Sequence, residues 1–324
     1  MSVDLIHPTA LFIAVAADAL LGEPGWLYRR APHPVVVIGA VIAWADRRFN
    51  RQSDSEARRW RLGTVFAGLL LLGALGVGWA IQYLLLALPW GPLWLGLVMS
   101  TLIAQRSLYT HVADVAGALE LSGIEGGRIA VARIVGRDPD QLDAAGICRA
   151  AVESLAENFS DGIVAPIFWG LLLGLPGMLA YKALNTADSM IGHRTPRHRA
   201  FGWAAARADD WANLPASRLS ALLLVLGSLC QRGADPAKAW TAVRRDARRH
   251  KSPNAGWPEA AMAGALGLAI AGPRVYHGRL VPDPWMNDGG RWQLTAADIR
   301  AGLALYWRAC AILAFVVAVV AWPG

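Results

Sequence analysis

Cysteine is scarce in this chain, with Cys148, Cys230 and Cys310 the only three among 324 residues. An odd number of cysteines so far apart gives no disulfide framework and no zinc-ligand spacing. Charged residues are also few, at 17% of the chain, compared with about 25% in a typical soluble protein. The sequence has no P-loop, nucleophile elbow, HExxH or CxxC motif, so we expect any nucleotide to bind without the usual ATPase loop.

Long hydrophobic runs take the place of the missing charges. Hydrophobic residues make up 55% of the chain, which also contains 15 tryptophans. Residues 62–88 are 27 consecutive positions without a charge, more than the roughly 20 residues that a helix needs to cross a bilayer. This run predicts a transmembrane helix. Residues 90–105 follow a turn at 89–92 and predict the second arm of a helical hairpin.

Four further segments are transmembrane candidates, although a charge or a proline interrupts each of them. They are residues 5–21, 163–181, 214–230 and 303–322. The apolar segments 33–45 and 259–272 are too short to cross a bilayer alone and suit re-entrant or interfacial helices. We therefore predict an all-α fold, a polytopic integral membrane helical bundle with re-entrant or broken helices, in a single membrane-embedded domain over residues 1–324.

The distribution of positive charge predicts how the chain is oriented. The formal net charge is +7, and six arginines lie between residues 46 and 61, directly before the strongest apolar run. Because cytoplasmic loops are rich in Lys and Arg, we expect a multi-pass protein of the cell (inner) membrane with its active site in the cytoplasm. The predicted cytoplasmic helical loops are 46–61, 106–162, 182–213 and 231–258.

These basic loops could face lipid, a substrate or nucleic acid. The aromatic residues lie inside apolar runs, and no basic recognition helix stands out, so the sequence argues against nucleic acid. Membrane lipid or a polyanionic substrate is the better interpretation.

Acidic residues at helical spacing form the first candidate site. Residues 140–162 predict a helix that begins near Asp138-Pro139. One face of it carries three carboxylates that are four residues apart, Glu153, Glu157 and Asp161. Like charges at this spacing repel each other unless a cation is near. A metal site, to which Asn158 would add an oxygen ligand, and a solvated acidic face both remain open.

Two more polar clusters follow. Asn185 and Asp188 share a helical face with Lys182, a combination that can hold a magnesium ion and a phosphate; helix capping near Gly192 is the alternative. Residues 207–218 then combine acids with two arginines suited to phosphate or carboxylate recognition. The residues of interest there are Arg207, Asp209, Asp210, Asn213 and Arg218.

The fourth cluster is the sequence KSPNAGWPE at 251–259. Pro, Asn and Gly so close together predict an ordered loop, and Pro258 with Glu259 suits the first turn of a following helix. A simple turn into a membrane segment is the alternative.

Several of these stretches, in this order, resemble the CobD/CbiB family of cobalamin biosynthesis. They are Asp18 to Pro24 with His33-Pro34, VGRDPDQLD (135–143), AVESLAENFSDGIVAP (151–166), AYKALNTADSMIGH (180–193), FGWAAARADDWANLPASRL (201–219) and SPNAGWPEAAMAGALG (252–267). The resemblance implies a multi-pass membrane enzyme, an adenosylcobinamide-phosphate synthase. Such an enzyme forms an amide between (R)-1-amino-2-propanol, or its O-phosphate, and the f-propionate carboxyl of adenosylcobyric acid, with ATP and Mg²⁺.

The resemblance also implies roles for the polar residues. The expected catalytic residues are Glu153, Glu157, Asp161 and Lys182. The expected metal ligands are Glu157, Asp161, Asp188, Asp209 and Asp210. The expected substrate-binding and phosphate-binding residues are Asn158, Asn185, Arg194, Arg207, Asn213, Arg218, Ser252, Asn254, Trp257 and Glu259. Other late cobalamin-pathway proteins or a second copy of the chain are the expected protein partners.

Two alternatives belong to other functional classes. A magnesium-dependent prenyl or CDP-alcohol transferase would also place Asp and Asn clusters at helical spacing, but with two similar DxxD motifs. A transporter or membrane sensor would use Asp18 and Arg308 as an ion path or a mutual pair.

Overall fold

A computed structural model of the chain describes residues 7–22, 25–30, 32–135, 139–276, 279–281 and 283–322. These residues are mostly helical, which confirms the predicted fold class. The helices are α1 (Pro8–Leu21), α2 (Gly25–Tyr28), α3 (Pro34–Phe49), α4 (Glu56–Leu86), α5 (Gly91–Ser100), α6 (Gln105–Val131), α7 (Ala144–Phe159), α8 (Ala165–Ile191), α9 (Trp203–Leu229), α10 (Pro236–Asp246), α11 (Gly256–Leu266) and α12 (Ala296–Ala321).

The strands that the structure describes form two short antiparallel pairs. Strand β1 (Ile270–Ala271) pairs with β4 (Trp285–Met286), and β2 (Arg274–Tyr276) pairs with β3 (Arg279–Val281). These strands follow α11. The sequence predicted a single apolar helical segment over residues 259–272, but the helix ends at Leu266. It ends there because Gly267 takes a left-handed conformation.

Among the described residues, four helical stretches are long and apolar enough to cross a membrane, judged by length and composition. They are α4, the stretch Ala144–Ile191 that contains α7 and α8, α9, and α12. The strongest predicted span, residues 62–88, corresponds to α4, which begins earlier because the Ser55 hydroxyl accepts a hydrogen bond from the Arg58 N–H. The second arm of the predicted hairpin is shorter than expected, since α5 ends at Ser100. The bounds of the other predicted transmembrane segments stay predictions, as does the side of the membrane on which each loop lies.

The chain divides into two compact units. The first contains Met1–Ala104, Ala165–Asn213 and Val317–Gly324, and the second contains Gln105–Val164 and Leu214–Val316. Helix α9 contributes to both, with the division after Asn213. The prediction of one membrane-embedded domain is not tested by this division and stays a prediction.

In the first unit, glycines allow helices to approach one another closely. A Cβ atom at Gly63 of α4 would lie 1.9 Å from the Phe201 carbonyl oxygen, and one at Gly78 would lie 2.6 Å from the Cα of Pro176 in α8. The core beside Gly63 contains Ile42, Ala45, Phe66, Ala187, Ile191 and Phe201. These contacts hold α4 against α8, which carries part of the candidate site.

Helix α8 is broken where the sequence predicted a break at Pro176-Gly177. The residue with non-helical backbone angles is Gly174 (φ 66°, ψ −152°). The break leaves backbone groups without helical partners, and the buried side chain of Gln82 accepts a hydrogen bond from the Leu175 N–H at 2.9 Å. A polar residue of α4 therefore stabilises the kink of α8.

In the second unit, α7 differs from the predicted helix at both ends. It begins at Ala144, where the Asp143 carboxylate accepts a hydrogen bond from the Gly146 N–H at 2.6 Å, so a start near Asp138-Pro139 is wrong. Asp138 itself lies outside the described residues. A π-helical turn follows α7 over Ser160–Val164. Because this turn holds an extra residue, Asp161 does not continue the regular four-residue spacing of Glu153 and Glu157.

Candidate functional site

A network of hydrogen bonds joins α8 and α9 in the first unit. Both carboxylate oxygens of Asp209 accept amide hydrogens, one from Asn213 at 3.0 Å and the other from Asn185 at 3.4 Å. The Asn213 carbonyl oxygen in turn accepts the hydroxyl hydrogen of Tyr181 at 2.9 Å. We call Tyr181, Asn185, Asp209 and Asn213 the Asp209 cluster. Asp209, Asn213 and Tyr181 are at most 7% exposed, so the network fixes a carboxylate in a nearly dry environment.

Two more acids, two arginines and a histidine surround the cluster. The carboxylates of Asp188 and Asp210 lie near enough to Asp209 to repel it. Arg207 donates a hydrogen bond to Asp210 at 3.3 Å, and the charge of Arg194 also attracts Asp210. His193 attracts Asp188 in the same way. The first unit therefore brings together the predicted residues of its two polar motifs.

Close packing of the loop after α8 positions these acids. The Gly192 N–H donates to the Asp188 carbonyl oxygen at 2.7 Å, and a Cβ atom at Gly192 would lie 1.9 Å from the Asp188 carboxylate. A Cβ atom at Gly202 would lie 1.6 Å from the Ile191 carbonyl oxygen. Only glycine fits at either position. The capping alternative for this motif is wrong for Asn185, because its side chain bonds to Asp209.

A cavity of about 510 Å³ lies against the Asp209 cluster, with Asn185 in its wall. The α8 residues Lys182, Thr186 and Ser189 also line it, as do His33 and Tyr28. His33 Nδ1 accepts a hydrogen bond from the Val35 N–H and caps α3. The volume falls in the range of small-molecule sites, which is about 300–1,000 Å³.

The oxygen-rich donor set suits magnesium, but it does not form a cage. Among the described residues, no group of three or more His, Cys, Asp or Glu side chains is placed to hold a metal ion. Magnesium usually keeps several waters and is bound through one or two carboxylates and substrate phosphates. Asp188 and Asp210 fit that mode better than Asp209, whose two oxygens already accept hydrogen bonds. The metal assignments stay predictions.

The second unit holds a separate group around Arg218. Its guanidinium lies 4.4 Å from the centre of the Trp257 ring. Its Nη1 donates to the Asn254 carbonyl oxygen at 2.9 Å and to the Ser217 hydroxyl at 2.9 Å. We call Ser217, Arg218, Asn254 and Trp257 the Arg218 cluster. The structure thus joins residues from two predicted motifs that are 36 positions apart in the chain.

The loop before α11 is ordered, as its sequence predicted. The Ser252 hydroxyl accepts hydrogen bonds from the N–H groups of Asn254 and Ala255, both at 3.2 Å. His250 Nδ1 accepts from the Ser252 N–H at 3.1 Å, and its Nε2 lies 3.8 Å from the buried Glu259 carboxylate. Ser252 and Glu259 therefore shape the loop, and Glu259 lies in the first turn of α11 as expected.

The α7 acids differ in burial. Glu153 is 9% exposed, whereas Glu157 and Asp161 are half-buried, so a fully solvated acidic face is wrong for Glu153. The predicted ligand Asn158 is exposed, and its amide donates to Ser154 of its own helix at 2.9 Å. Catalytic roles for Glu153, Glu157 and Asp161 stay predictions.

Sequence reasoning missed three members of these networks: Tyr181, Ser217 and His250. Each follows or precedes a predicted site residue by one position or a few positions in the chain. Tyr181 directly before Lys182 was the clearest signal, because a buried tyrosine hydroxyl usually finds a hydrogen-bond partner.

Comparisons with known proteins agree with the resemblance of the motifs. A family model described as CobD/Cbib protein matches residues 11–306. A protein named cobalamin biosynthesis protein CobD from Sinorhizobium sp is 53% identical over 314 residues, which cover 95% of this chain and 97% of that protein. A protein of the same name from Rhizobium meliloti (strain 1021) is 50% identical over 315 residues, covering 97% of this chain and 96% of that protein.

A third relative with that name, from Rhodobacter capsulatus, is 48% identical over 312 residues and 96% of both chains. No solved structure matches the chain. Because the family model covers most of the sequence and the relatives match it almost end to end, the chain belongs to the CobD/CbiB family.

Proposed function

We propose that the protein acts in cobalamin biosynthesis as an adenosylcobinamide-phosphate synthase. It would join (R)-1-amino-2-propanol, or its O-phosphate, to the f-propionate carboxyl of adenosylcobyric acid at the expense of ATP. The names of the relatives support the pathway. The observation that carries the reaction class is the Asp209 cluster beside a polar cavity walled by Lys182 and Asn185.

The chemistry needs an activated carboxyl group. A carboxylate is a poor acylating agent at neutral pH, so transfer of the γ-phosphoryl group of ATP to it would give an acyl phosphate and ADP. The amine nitrogen would then attack the carbonyl carbon, the C–N bond would form, and inorganic phosphate would leave. Bound magnesium supplies positive charge that offsets the charge on the phosphate oxygens during both transfers.

In this proposal the residues around the cavity bind and orient charged groups. Lys182 in its wall supplies a positive charge for a phosphate, and Arg194 and Arg207 add charge beside Asp210. Asp188 and Asp210 are the carboxylates proposed to hold magnesium. Asp209 keeps Asn185 and Asn213 in place. The attacking ammonium must also lose a proton to a carboxylate, and the family resemblance is what supports our proposal of Glu157 for this role.

The Arg218 cluster is proposed to bind an anionic group of a substrate. Within the part of the chain that the structure describes, all hydrogen bonds of Arg218 use Nη1. Its Nε and Nη2 remain available for a phosphate or carboxylate, while the Trp257 ring holds the plane of the guanidinium.

The test is amide synthesis by the purified protein. The protein in detergent is incubated with adenosylcobyric acid, Mg²⁺, ATP and either aminopropanol or aminopropanol phosphate, and the corrinoids are separated and weighed by mass spectrometry. We expect a product with the mass of the amide, formed only when ATP and one of the two amines are present. No amide with either amine would contradict the proposal.

Two variants separate the cavity residue from a general loss of structure. Lys182→Met should raise the KM for ATP or for the phosphorylated amine by at least about tenfold, because a charge contact with phosphate is lost. Lys238→Met removes an exposed lysine that pairs with Asp235 at the start of its own helix, and it should leave both constants unchanged. Equal KM values for the two variants would show that Lys182 does not bind a phosphate group of the substrates.

A further inference from the structure

A second, larger cavity lies in the first unit, away from the polar residues. It is an open groove of about 790 Å³ between α3 and α4, and α8 forms its floor. Its walls include Val37 and Val41 of α3, Val65, Leu69 and Gly73 of α4, and Leu179 of α8. No lining residue carries a charge. Such a groove offers no partner for the amides, hydroxyls or phosphates of a polar substrate.

The wall formed by α4 also faces outward more than the other long apolar helices do. Only 11% of the 18-residue apolar segment of α4 is buried, compared with 67% of the corresponding segment in the stretch that contains α7 and α8. Several apolar side chains of the groove, such as Val65 and Leu69, are more than half exposed. In a membrane this surface would contact either acyl chains or another protein.

Arginines continue both walls of the groove at one end. On α3, Val37, Val41, Trp44 and Arg48 follow at intervals of four, three and four residues, so they share one face. Arg48 lies 5.8 Å from the centre of the ring of Phe49, which lines the groove.

Helix α4 repeats the pattern in the opposite direction along the chain. Arg61, Val65, Leu69 and Gly73 follow at intervals of four residues and share a face. The loop between Phe49 and Glu56 joins the two helices at this end. Arg48 and Arg61 are exposed, and neither forms an ion pair with another residue that the structure describes.

We propose that this groove is a binding site for an anionic phospholipid. An acyl chain would lie along the apolar walls, and the phosphate would lie at the open end against Arg48 and Arg61. Basic residues next to a membrane-spanning segment attract anionic headgroups in this way. The two arginines are the feature that favours a lipid over a second copy of the chain. Two copies inserted in the same orientation in one membrane are related by an axis along the membrane normal, so a dimer across this groove would bring the same ends of α4 together, and their arginines would repel each other.

The experiment compares lipids and matched variants. The protein is placed in bilayer discs of phosphatidylcholine alone or of phosphatidylcholine with phosphatidylglycerol, and the lipids that stay bound are identified by native mass spectrometry. We expect the wild-type protein to retain phosphatidylglycerol about tenfold better than phosphatidylcholine. The double variant Arg48→Gln, Arg61→Gln should lose this preference. The control Arg232→Gln, Arg244→Gln removes two exposed arginines elsewhere and should keep it.

A second pair of variants tests the groove itself. A Cβ atom at Gly73 or at Gly76 would meet no neighbouring atom within 4 Å, so α4 should fold with leucine at either position. Only Gly73 lines the groove. Gly73→Leu should therefore reduce retention of both lipids, and Gly76→Leu should not.

Three results would overturn the proposal. The first is equal retention of the two lipids by the wild-type protein. The second is equal retention by the two glycine variants. The third is a complex of two protein chains that Gly73→Leu breaks, which would assign the groove to a second copy.

Discussion

Asp209 links the two helices of the candidate site in the first unit. It accepts one amide hydrogen from α8 and one from its own helix, and both asparagines were themselves predicted to bind substrate. A buried carboxylate with two such bonds acts as a fixed reference for the groups around it. Its value to the site is the position that it gives to Asn185 and Asn213.

Replacement of Asp209 by Asn should reduce amide synthesis by roughly 100-fold, a loss typical of one misplaced group in an active site. The NH₂ group of an asparagine at position 209 would face the NH₂ group of Asn185 or Asn213, so one of the two hydrogen bonds would be lost. Initial rates with saturating substrates measure the effect. Asp288→Asn, which changes an exposed acid outside the site, should keep the wild-type rate. Equal rates for the two variants would show that the cluster is not part of the active site.

A second ionic group, around Asp46, stabilises the first unit away from the site. Arg197 donates two hydrogen bonds to its carboxylate, at 3.2 and 2.6 Å, and His198 Nε2 lies 3.5 Å away. Asn50 donates at 2.7 Å. Partial burial acts to raise the pKa of Asp46, but the bonds from Arg197 and Asn50 and the charges of Arg197 and His198 hold it below its usual value.

This lowered pKa predicts how stability depends on pH. The ionised form of Asp46 is favoured in the folded protein, so its contribution is fully present above the unfolded pKa of about 3.9 and is lost as the pH falls through the lower folded pKa. Asp46→Asn should lower the free energy of unfolding at pH 7 by about 1 kcal/mol. The variant should therefore unfold at a lower temperature than the wild type. Thermal unfolding in detergent should show this gap closing below pH 4. A gap that persists there would contradict the assignment.

The contact of α4 with the broken helix α8 depends on Gly78. A Cβ atom there would meet backbone atoms of Pro176 and Leu175, which cannot rotate away. Gly78→Ala should therefore cost about 1–3 kcal/mol of stability, seen as a lower unfolding temperature. Gly76→Ala, on the same helix with open space at its Cβ position, should not lower it. Equal unfolding temperatures would mean that the two helices separate easily at this point.

Local sequence patterns predicted many of the helical elements. The uncharged run at 62–88 predicted α4, the Pro176-Gly177 pair predicted a broken helix, and Pro258 with Glu259 predicted the start of α11. The π-helical turn at Ser160–Val164 was not predictable, because one extra residue in a helical turn leaves the composition unchanged. The start of α7 was misplaced because both Asp138-Pro139 and Asp143 resemble helix caps.

The candidate site was predictable as separate motifs and not as networks. Asp209 and Asn185 were each identified from spacing on their own helices, yet the bond between them depends on how α8 packs against α9. The stacking of Arg218 on Trp257 likewise joins segments that are distant in the chain. Contacts of this kind depend on tertiary packing, which one sequence read by periodicity does not reveal.

The chain forms two compact units and carries the motifs of the CobD/CbiB family. The residues that the structure describes include four helical stretches of membrane-spanning length and composition. The first unit carries the Asp209 cluster with its cavity and the apolar groove, while the second carries the Arg218 cluster. A scarcity of charge overall, with the remaining charge gathered in a few polar clusters, is what we expect of an enzyme that performs ionic chemistry in a membrane protein.

In the proposed reaction, the protein activates a carboxyl group with ATP and joins it to an amine. The reaction is followed with adenosylcobyric acid that carries ¹⁸O at both oxygens of its free carboxylate, together with ATP, Mg²⁺ and the amine. We expect one ¹⁸O atom in the released inorganic phosphate for each amide formed, because one carboxylate oxygen leaves with the phosphoryl group and the other stays in the amide. Amide formation without label in the phosphate, or the absence of amide, would contradict the proposed reaction.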